Sequence, residues 1–277
     1  MTEDELVDLE IKLLLEGIYL VYGYDFREYS EESLRRRVTQ WLSRSGYASI
    51  SHAQSTLLRD RALFNTLLRG ISVSISEMFR DPAFFKAVRE HVVPHLKTYP
   101  FVKIWHAGCA SGEEAYSMAI LLLEEGLKGR FQIYATDINE EVIRKAQLGI
   151  YPLQDMQLYT KNYQLAEGTG SFSDYYTARY DHAILTPSLR DNIVFATHNL
   201  AGDATFGEMN LILCRNVMIY FKTPLKEQVL TLFDDCLVSG GFLCLGTKEN
   251  LSRRQISNRF EAITPRMQMY RKRYDQK

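Results

Sequence analysis

From residue 101 onward the chain alternates short β-forming apolar runs with amphipathic helical stretches. No other feature constrains its fold as strongly. The runs are Val102–Ala107, Phe131–Thr136, Ile193–Thr197, Leu211–Cys214 and Phe242–Leu245, and the helical stretches are Glu113–Leu127, Glu140–Leu148 and Pro224–Leu237. Strands alternating with helices of about 10–15 residues build βαβ units, so the expected fold class is α/β with a largely parallel sheet. Thr223 reads as an N-cap before Pro224 at the first helical position, and Gly240-Gly241 reads as the close of that helix and the turn into the next strand. Met267–Tyr270 suggests one further strand. Between about 152 and 191 the alternation fails in an aromatic, polar stretch (Tyr159, Tyr163, Phe172, Tyr175, Tyr176, Tyr180). That stretch is expected to be an inserted subdomain between the third and fourth strands.

Residues 1–72 show no strand-like alternation and read as a small all-helical N-terminal domain. Residues 73–100 read as a linker and the first helix of the catalytic domain, and 101–277 as the α/β domain itself. Charge is unevenly spread over the helical part. Residues 1–32 hold ten acids and two bases, whereas 33–72 hold seven arginines and one acid, Asp60. Leu34, Val38, Trp41 and Leu42 recur at helical spacing, so Arg35, Arg36 and Arg37 are expected to point away from that apolar stripe. They form either a solvated helix face or a docking surface for an acidic partner.

Several function classes drop out. A total of 33 Lys+Arg against 34 Asp+Glu argues against a chain that coats nucleic acid, which needs a basic excess. No run of about 18 apolar residues is present, so no membrane insertion is expected. The acidic start MTEDELVDLE is unlike a signal peptide, and the expected location is cytoplasmic. Cys109, Cys214, Cys236 and Cys244 lie apart without a CxxC pair, which speaks against a disulfide framework or a zinc cage. His91 and His95 have a metal-pair spacing, but Pro94 lies between them. No metal is expected. With no coiled-coil heptad or large apolar face evident, a monomer is expected.

The stretch most informative about chemistry is IWHAGCASGEEAYSMAI, residues 104–120. A strand runs into small residues, Ala107 to Gly112, and a helix opens with Glu113 and Glu114. Small residues let the backbone turn tightly and approach a ligand. A helix start offers free N–H groups and the positive end of its dipole, which in dinucleotide enzymes receives a pyrophosphate. Two carboxylates in that place disfavour phosphate and suit a cation. Asp137 ends the next strand, 25 residues after Gly112, where Rossmann-type folds bind a ribose diol, although an aspartate there also serves as a helix N-cap. S-adenosylmethionine (SAM), with its cationic sulfonium and ammonium, fits these residues. A nicotinamide dinucleotide is the alternative.

These motifs resemble those of the CheR family of chemotaxis-receptor glutamate methyltransferases. SISEMFRDPAFF (74–85) resembles the family's polar-x-Thr-x-Phe-Phe-Arg-Asp/Glu segment, ASGEEAYSMA (110–119) its SxGEExYSxA block, and ATDIN (135–139) its ASDI block. HNL (198–200) and LCRNVMIYF (213–221) complete the ordered set. The resemblance implies a Rossmann-like SAM-dependent methyltransferase domain behind a small helical domain, with the inserted subdomain before the fourth strand. It implies transfer of a methyl group from SAM to glutamate carboxylates of chemoreceptor methylation helices, with S-adenosylhomocysteine (SAH) as product. A SAM-binding signalling module with little turnover and a nicotinamide-dependent oxidoreductase are the alternatives.

The roles it implies are specific. Ser74, Ser76 and Arg80 would close over the methionine part of the cofactor, Glu114 would hold its amino acid end, and Asp137 the ribose. Asn199 and Leu200 would flank the adenine, and Arg215 and Asn216 would contact the cofactor and frame the substrate channel. Arg80 and Tyr220 would be the catalytic pair bordering the methyl group. Arg35, Arg36 and Arg37 would dock the receptor helix, and the insertion would add a receptor C-terminal peptide as a strand. Some positions depart from the family pattern: Ser74 and Ser76 replace Asn and Thr, Met78 a Phe, and Ala115 a Pro. In GTKEN (246–250), Thr247 and Lys248 stand in place of His and Ser.

Overall fold

The computed structural model describes residues 1–72, 76–205, 207–252 and 259–274. Ser74, expected to touch the cofactor, lies outside the described residues. The chain divides into two compact units, and the division is not linear. The first unit takes Met1–Ser74 together with Asn199–Asp203 and Tyr220–Val229, and the second takes the rest.

The first unit is built on four helices, α1 (Glu3–Tyr22), α2 (Glu31–Ser45), α3 (Ile50–Leu57) and α4 (Arg61–Ile71). A capping box starts α1, in which Thr2 accepts from the Glu5 N–H and the Glu5 carboxylate accepts from the Thr2 N–H. Asp60 caps α4 by accepting from the Ala62 and Leu63 amides. Ile11, Leu14, Leu15 and Ile18 of α1, Leu34 and Val38 of α2, and Phe64, Leu67 and Leu68 of α4 are buried at helical spacing.

The three arginines of α2 divide instead of sharing an outer face. Arg37 is buried: Nη1 donates to the Ile71 carbonyl at 2.5 Å and Nε to Ser33 Oγ at 3.1 Å, and the guanidinium lies 4.7 Å over the Tyr220 ring. Its place in the docking surface is therefore corrected. The C-terminal carbonyl of α4 needs a donor, and Arg37 turns inward to supply it. Arg35 pairs with Asp4 and Asp8 of α1, so part of the acidic and basic asymmetry of residues 1–72 cancels within the unit. Arg36 is exposed.

The second unit opens with α5 (Pro82–Ala87), a π-helical turn Val88–Val92 and α6 (Val93–Leu96). Strand β1 (Val102–Ala107), α7 (Glu113–Glu124), β2 (Phe131–Asp137) and α8 (Glu140–Leu148) form the first βαβα run. Then come β3 (Ile150–Pro152), α9 (Met156–Leu165), β4 (Tyr176–Arg179), β5 (His182–Leu185), α10 (Pro187–Arg190), β6 (Ile193–Thr197) and β7 (Met209–Cys214). Helix α11 (Thr223–Cys236), β8 (Leu237–Leu245), β9 (Phe260–Thr264) and β10 (Met269–Lys272) complete the order.

The main sheet runs β6-β2-β1-β7-β8-β10-β9, parallel from β6 to β8 and antiparallel at β10 and β9. Its central strand β7 is buried along its whole length, on both faces, as a helix-covered parallel sheet requires. The late strand falls at Met269–Lys272, two residues beyond its expected start, because Pro265–Met267 forms a 3₁₀ turn. Gly240 and Gly241 lie inside β8 and do not close α11. The register slips between Met209 and Leu211 opposite them, and Gly240 takes a φ of +79° at that irregularity.

The inserted segment leaves after β2 and returns at β6, the second and third main-sheet strands in chain order, one strand earlier than expected. It forms its own antiparallel sheet β3-β5-β4. The aromatic residues anchor it. The buried Glu124 carboxylate accepts from the Tyr163 and Tyr175 hydroxyls and the Thr169 amide, and pairs with Arg89.

The chain moves outward from β1 through β2 to β6, then returns to the other side of β1 as β7. The switch point of the sheet therefore lies between the C-terminal ends of β1 and β7, where open α/β sheets bind ligands. Gly108 sits at that point with φ +83°, and a Cβ there would stand 2.3 Å from Val217 Cγ2. Gly126 has φ +79° but open space around it. Gly126→Ala should therefore cost only the left-handed backbone penalty, about 1–2 kcal/mol. Gly108→Ala should add a clash of about 1–3 kcal/mol. Urea unfolding of both variants checks this, and equal costs would refute the close approach.

Candidate active site

Three loops meet at the switch point within the second unit. The first is the turn Gly108–Gly112 between β1 and α7. Ala110, with φ +49°, directs its N–H to Asp137 Oδ2 at 3.0 Å, and Asn139 N donates to Oδ1 at 3.0 Å. Asp137 is half-buried. Burial pushes its carboxyl above the ordinary value, partly offset by the amides of Asn139, Ala110 and Ile138. The cap of α8 is Asn139, whose side chain accepts from Glu141 N, so Asp137 is not spent as the N-cap.

Glu113 and Glu114 behave differently although they are neighbours. Glu113 is buried and accepts from the Ser111 and Ser76 hydroxyls; burial raises its pKa, opposed by its own N–H and those two hydroxyls. Glu114 keeps 18% side-chain exposure. Its Oε2 accepts from Arg215 Nη1 at 2.5 Å, and its Oε1 lies 3.3 Å from His106 Nδ1. Burial alone would raise the Glu114 pKa, but Arg215 and His106 overcome it and hold the carboxyl at about 2.

The second loop follows β7. Arg215 extends from the strand end with its side chain 2% exposed, and its Nη2 donates to Asp81 Oδ2 at 2.7 Å. Its guanidinium lies 3.9 Å over Phe84, and its Nε has no partner among the described residues. Two carboxylates and an aromatic face thus surround the Arg215 guanidinium. Asn216 follows with φ +63°. The third loop is Ser76–Asp81, where the buried Phe79 (φ +53°) and Asp81 (φ +58°) adopt left-handed conformations. Phe79 N donates to Ser117 Oγ at 2.8 Å, and Met78 O accepts from Asn162 at 3.1 Å, which pins the segment. Arg80 is half-buried. Strained non-glycine residues concentrate in these loops (Phe79, Asp81, Ala110, Asn216), as they do at functional sites.

Ser76 and Arg80 thus stand on the third loop and Arg215 and Asn216 on the second, with Glu114 in the first turn of α7 and Asp137 at the end of β2 beside the first loop, all in the second unit. Asn199, Leu200 and Tyr220 belong to the first. There Asn199 closes an Asx turn, its side-chain oxygen accepting from Ala201 N at 3.0 Å, and Leu200 is buried. The Tyr220 carbonyl accepts from Ser30 N at 2.8 Å. Sequence reasoning missed Asp81, His106 and Glu249. Asp81 stands beside Arg80 in the quoted motif, and a buried arginine's need for a second carboxylate is the signal that points to it. Acids outnumber bases around the turn, which suits a cationic ligand better than a pyrophosphate. Among the described residues no cluster of His, Cys, Asp or Glu could hold a metal ion, and no helix is long and apolar enough to cross a membrane.

Residues 74–267 match the CheR methyltransferase SAM binding domain, and residues 9–72 match the CheR methyltransferase all-alpha domain. The chain belongs to the CheR methyltransferase family. It is 48% identical over 272 residues to Cher3 of Pseudomonas putida, covering 98% of this chain and 100% of that one. It is 29% identical over 231 residues to the chemotaxis protein methyltransferase of Listeria innocua, covering 83% of this chain and 85% of that one. With the chemotaxis protein methyltransferase of Salmonella typhimurium it shares 27% identity over 267 residues, 93% and 90% of the two chains. As a member of this family it is a SAM-dependent methyltransferase with a Rossmann-like domain and an all-helical N-terminal domain.

Arg215 loses one of its two carboxylate partners in Glu114→Gln, which should destabilise the protein by about 3 kcal/mol at neutral pH. The sign with pH is fixed. Glu114 has a folded pKa of about 2 against an ordinary 4.5. Its stabilisation is present above 4.5 and is lost as pH falls toward 2. Urea midpoints between about pH 2 and 7 should show a shallower acid limb in the variant. An unchanged limb would contradict the pairing.

Proposed function

We infer that this methyltransferase acts on chemoreceptors, moving the methyl group of SAM to glutamate side-chain carboxylates in sensory adaptation, with SAH as the second product and no metal. The supporting observation is the match to both family domains, together with near full-length relatives named chemotaxis protein methyltransferases. A cytoplasmic location follows from that reading.

When bound, SAM supplies an electrophilic methyl group on a cationic sulfur that leaves as a neutral thioether. Asp137 would accept hydrogen bonds from the ribose diol, its two oxygens already oriented by the Ala110 and Asn139 amides. Glu114, kept ionised by Arg215, would face the ammonium, and Ser76 and Asn216 would line the same end. A glutamate is already ionised at neutral pH, so the chain needs no strong general base. What it must do is strip water from the carboxylate and align it with the methyl group at roughly 3–3.5 Å. Arg80 would orient the incoming carboxylate through charge-assisted hydrogen bonds. The roles of Ser74, Asn199, Leu200 and Tyr220 are proposed on the family resemblance.

On the helical unit, the surface proposed to dock an acidic receptor helix narrows to Arg36, because Arg37 is buried and Arg35 is paired. The exposed strand β4 edges the small sheet and is proposed to receive a receptor peptide.

Label from methyl-tritiated SAM should enter receptor cytoplasmic fragments and become volatile after base treatment, since carboxyl methyl esters release methanol. SAH binding without such label would leave a SAM-binding signalling module. Asp137→Ala should lose most SAH affinity. In the wild type, affinity should fall as pH drops through the Asp137 pKa, which burial lifts above the ordinary 3.8. Asp137→Asn should abolish that dependence, and a retained acid limb would remove the ribose assignment. Arg36→Glu should raise the receptor KM severalfold while SAH binding, followed by calorimetry, stays as in the wild type. An equal loss of both would contradict docking.

A further inference from the structure

The loop after β7 is held by one carboxylate that no part of the mechanism above uses. Glu249 is 5% exposed and accepts from four backbone amides. Oε2 receives Asn216 N at 2.9 Å and Gly246 N at 2.7 Å, and Oε1 receives Val217 N at 2.9 Å and Ile219 N at 3.2 Å. No ion pair with Glu249 is present among the described residues, so the four amide dipoles balance its charge, as in a backbone anion nest. Hydrogen bonds to an ionised acceptor are about twice as strong as neutral ones. Here three of the four are spent on the segment that directly follows Arg215, and the fourth on Gly246.

That segment needs holding. Asn216 has φ +63°, a conformation that non-glycine residues keep only when their surroundings enforce it. Val217 presses on the turn after β1, where even a Cβ on Gly108 would meet it at 2.3 Å. Gly246 leaves room for the contact from the other side: a Cβ there would lie 2.6 Å from Glu249 Oε2 and 2.7 Å from Asn216 N. The carboxylate therefore sets the backbone path of Asn216 and Val217, and with it the height of the β7 loop over the β1 turn.

We propose that Glu249 is a positioning residue for methyl transfer, acting through Asn216 and Val217 to shape the wall of the cofactor site. The proposal rests on the reading that the β1 turn and the β7 loop bind SAM. Glu249→Gln keeps the side-chain length but places an NH₂ group against amides that need an acceptor. A misplaced loop costs much at such a site, where 1 Å is worth up to about 100-fold. The expected result is a rise of roughly tenfold or more in the SAH Kd by calorimetry. In the receptor-fragment assay the KM for SAM should rise while the KM for the receptor stays unchanged. Hydrogen exchange should accelerate in the peptides spanning 214–221 and 245–249, which carry the four amides, and remain as in the wild type elsewhere.

Asn216→Ala separates the two levels. If it binds SAH as the wild type does, the loop is not part of the cofactor site and the underlying reading fails. If Asn216→Ala weakens SAH binding but Glu249→Gln leaves both the Kd and the loop exchange unchanged, the Glu249 proposal is overturned and the reading stands. Should Glu249→Gln not fold, Gly246→Ala displaces the same contact. It should weaken SAH binding in the same way, and an unchanged Kd there overturns the proposal.

Discussion

The buried guanidinium of Arg215 is the interaction on which the site depends. A charge removed from water at a strand end is costly unless it is paired and hydrogen-bonded on most sides. Glu114 at the start of α7 and Asp81 before α5 answer two of its nitrogens, and Phe84 covers its face. Three segments distant in sequence are thereby fixed around the switch point of the sheet. Such a pair contributes little net stability compared with well-packed apolar groups, but breaking it is expensive. Its value lies in specifying one arrangement of three loops.

That arrangement explains why this Rossmann-like domain uses its first helix start differently from a dinucleotide enzyme. The dipole end and its free amides lie under Glu113 and Glu114, one buried and hydroxyl-bonded, the other held ionised by Arg215. A phosphate would meet like charge there, whereas a cation meets an opposite one. The backbone strain at Phe79, Asp81, Ala110 and Asn216 belongs to the same construction. Each of these residues turns the chain where a relaxed residue would carry it away from the site, and surrounding hydrogen bonds hold it in place.

Features carried by local chemistry were legible in the sequence. Apolar periodicity marked β1, β2, β6 and β7 and the helices α7, α8 and α11, and small residues followed by two acids marked the turn after β1. Features that depend on distant partners were not legible. The inward turn of Arg37 is decided by the unsatisfied Ile71 carbonyl 34 residues away, which helical spacing alone does not reveal. Strands β3 to β5 are only three or four residues long, too short for an alternation to stand out in the sequence. Gly240 and Gly241 look like a helix stop but serve an irregularity inside β8. Arg215 reads as a site residue from its motif, yet its enclosure by Asp81 and Glu114 appears only once the strands are ordered.

A crystal structure of the protein with SAH tests the central claim most directly. It should place the ribose hydroxyls within hydrogen-bonding distance of Asp137 and the ammonium beside Glu114, with the Arg215–Glu114–Asp81 contacts intact. SAH bound away from the β1 turn, or bound there with Asp137 facing no part of it, would contradict the account.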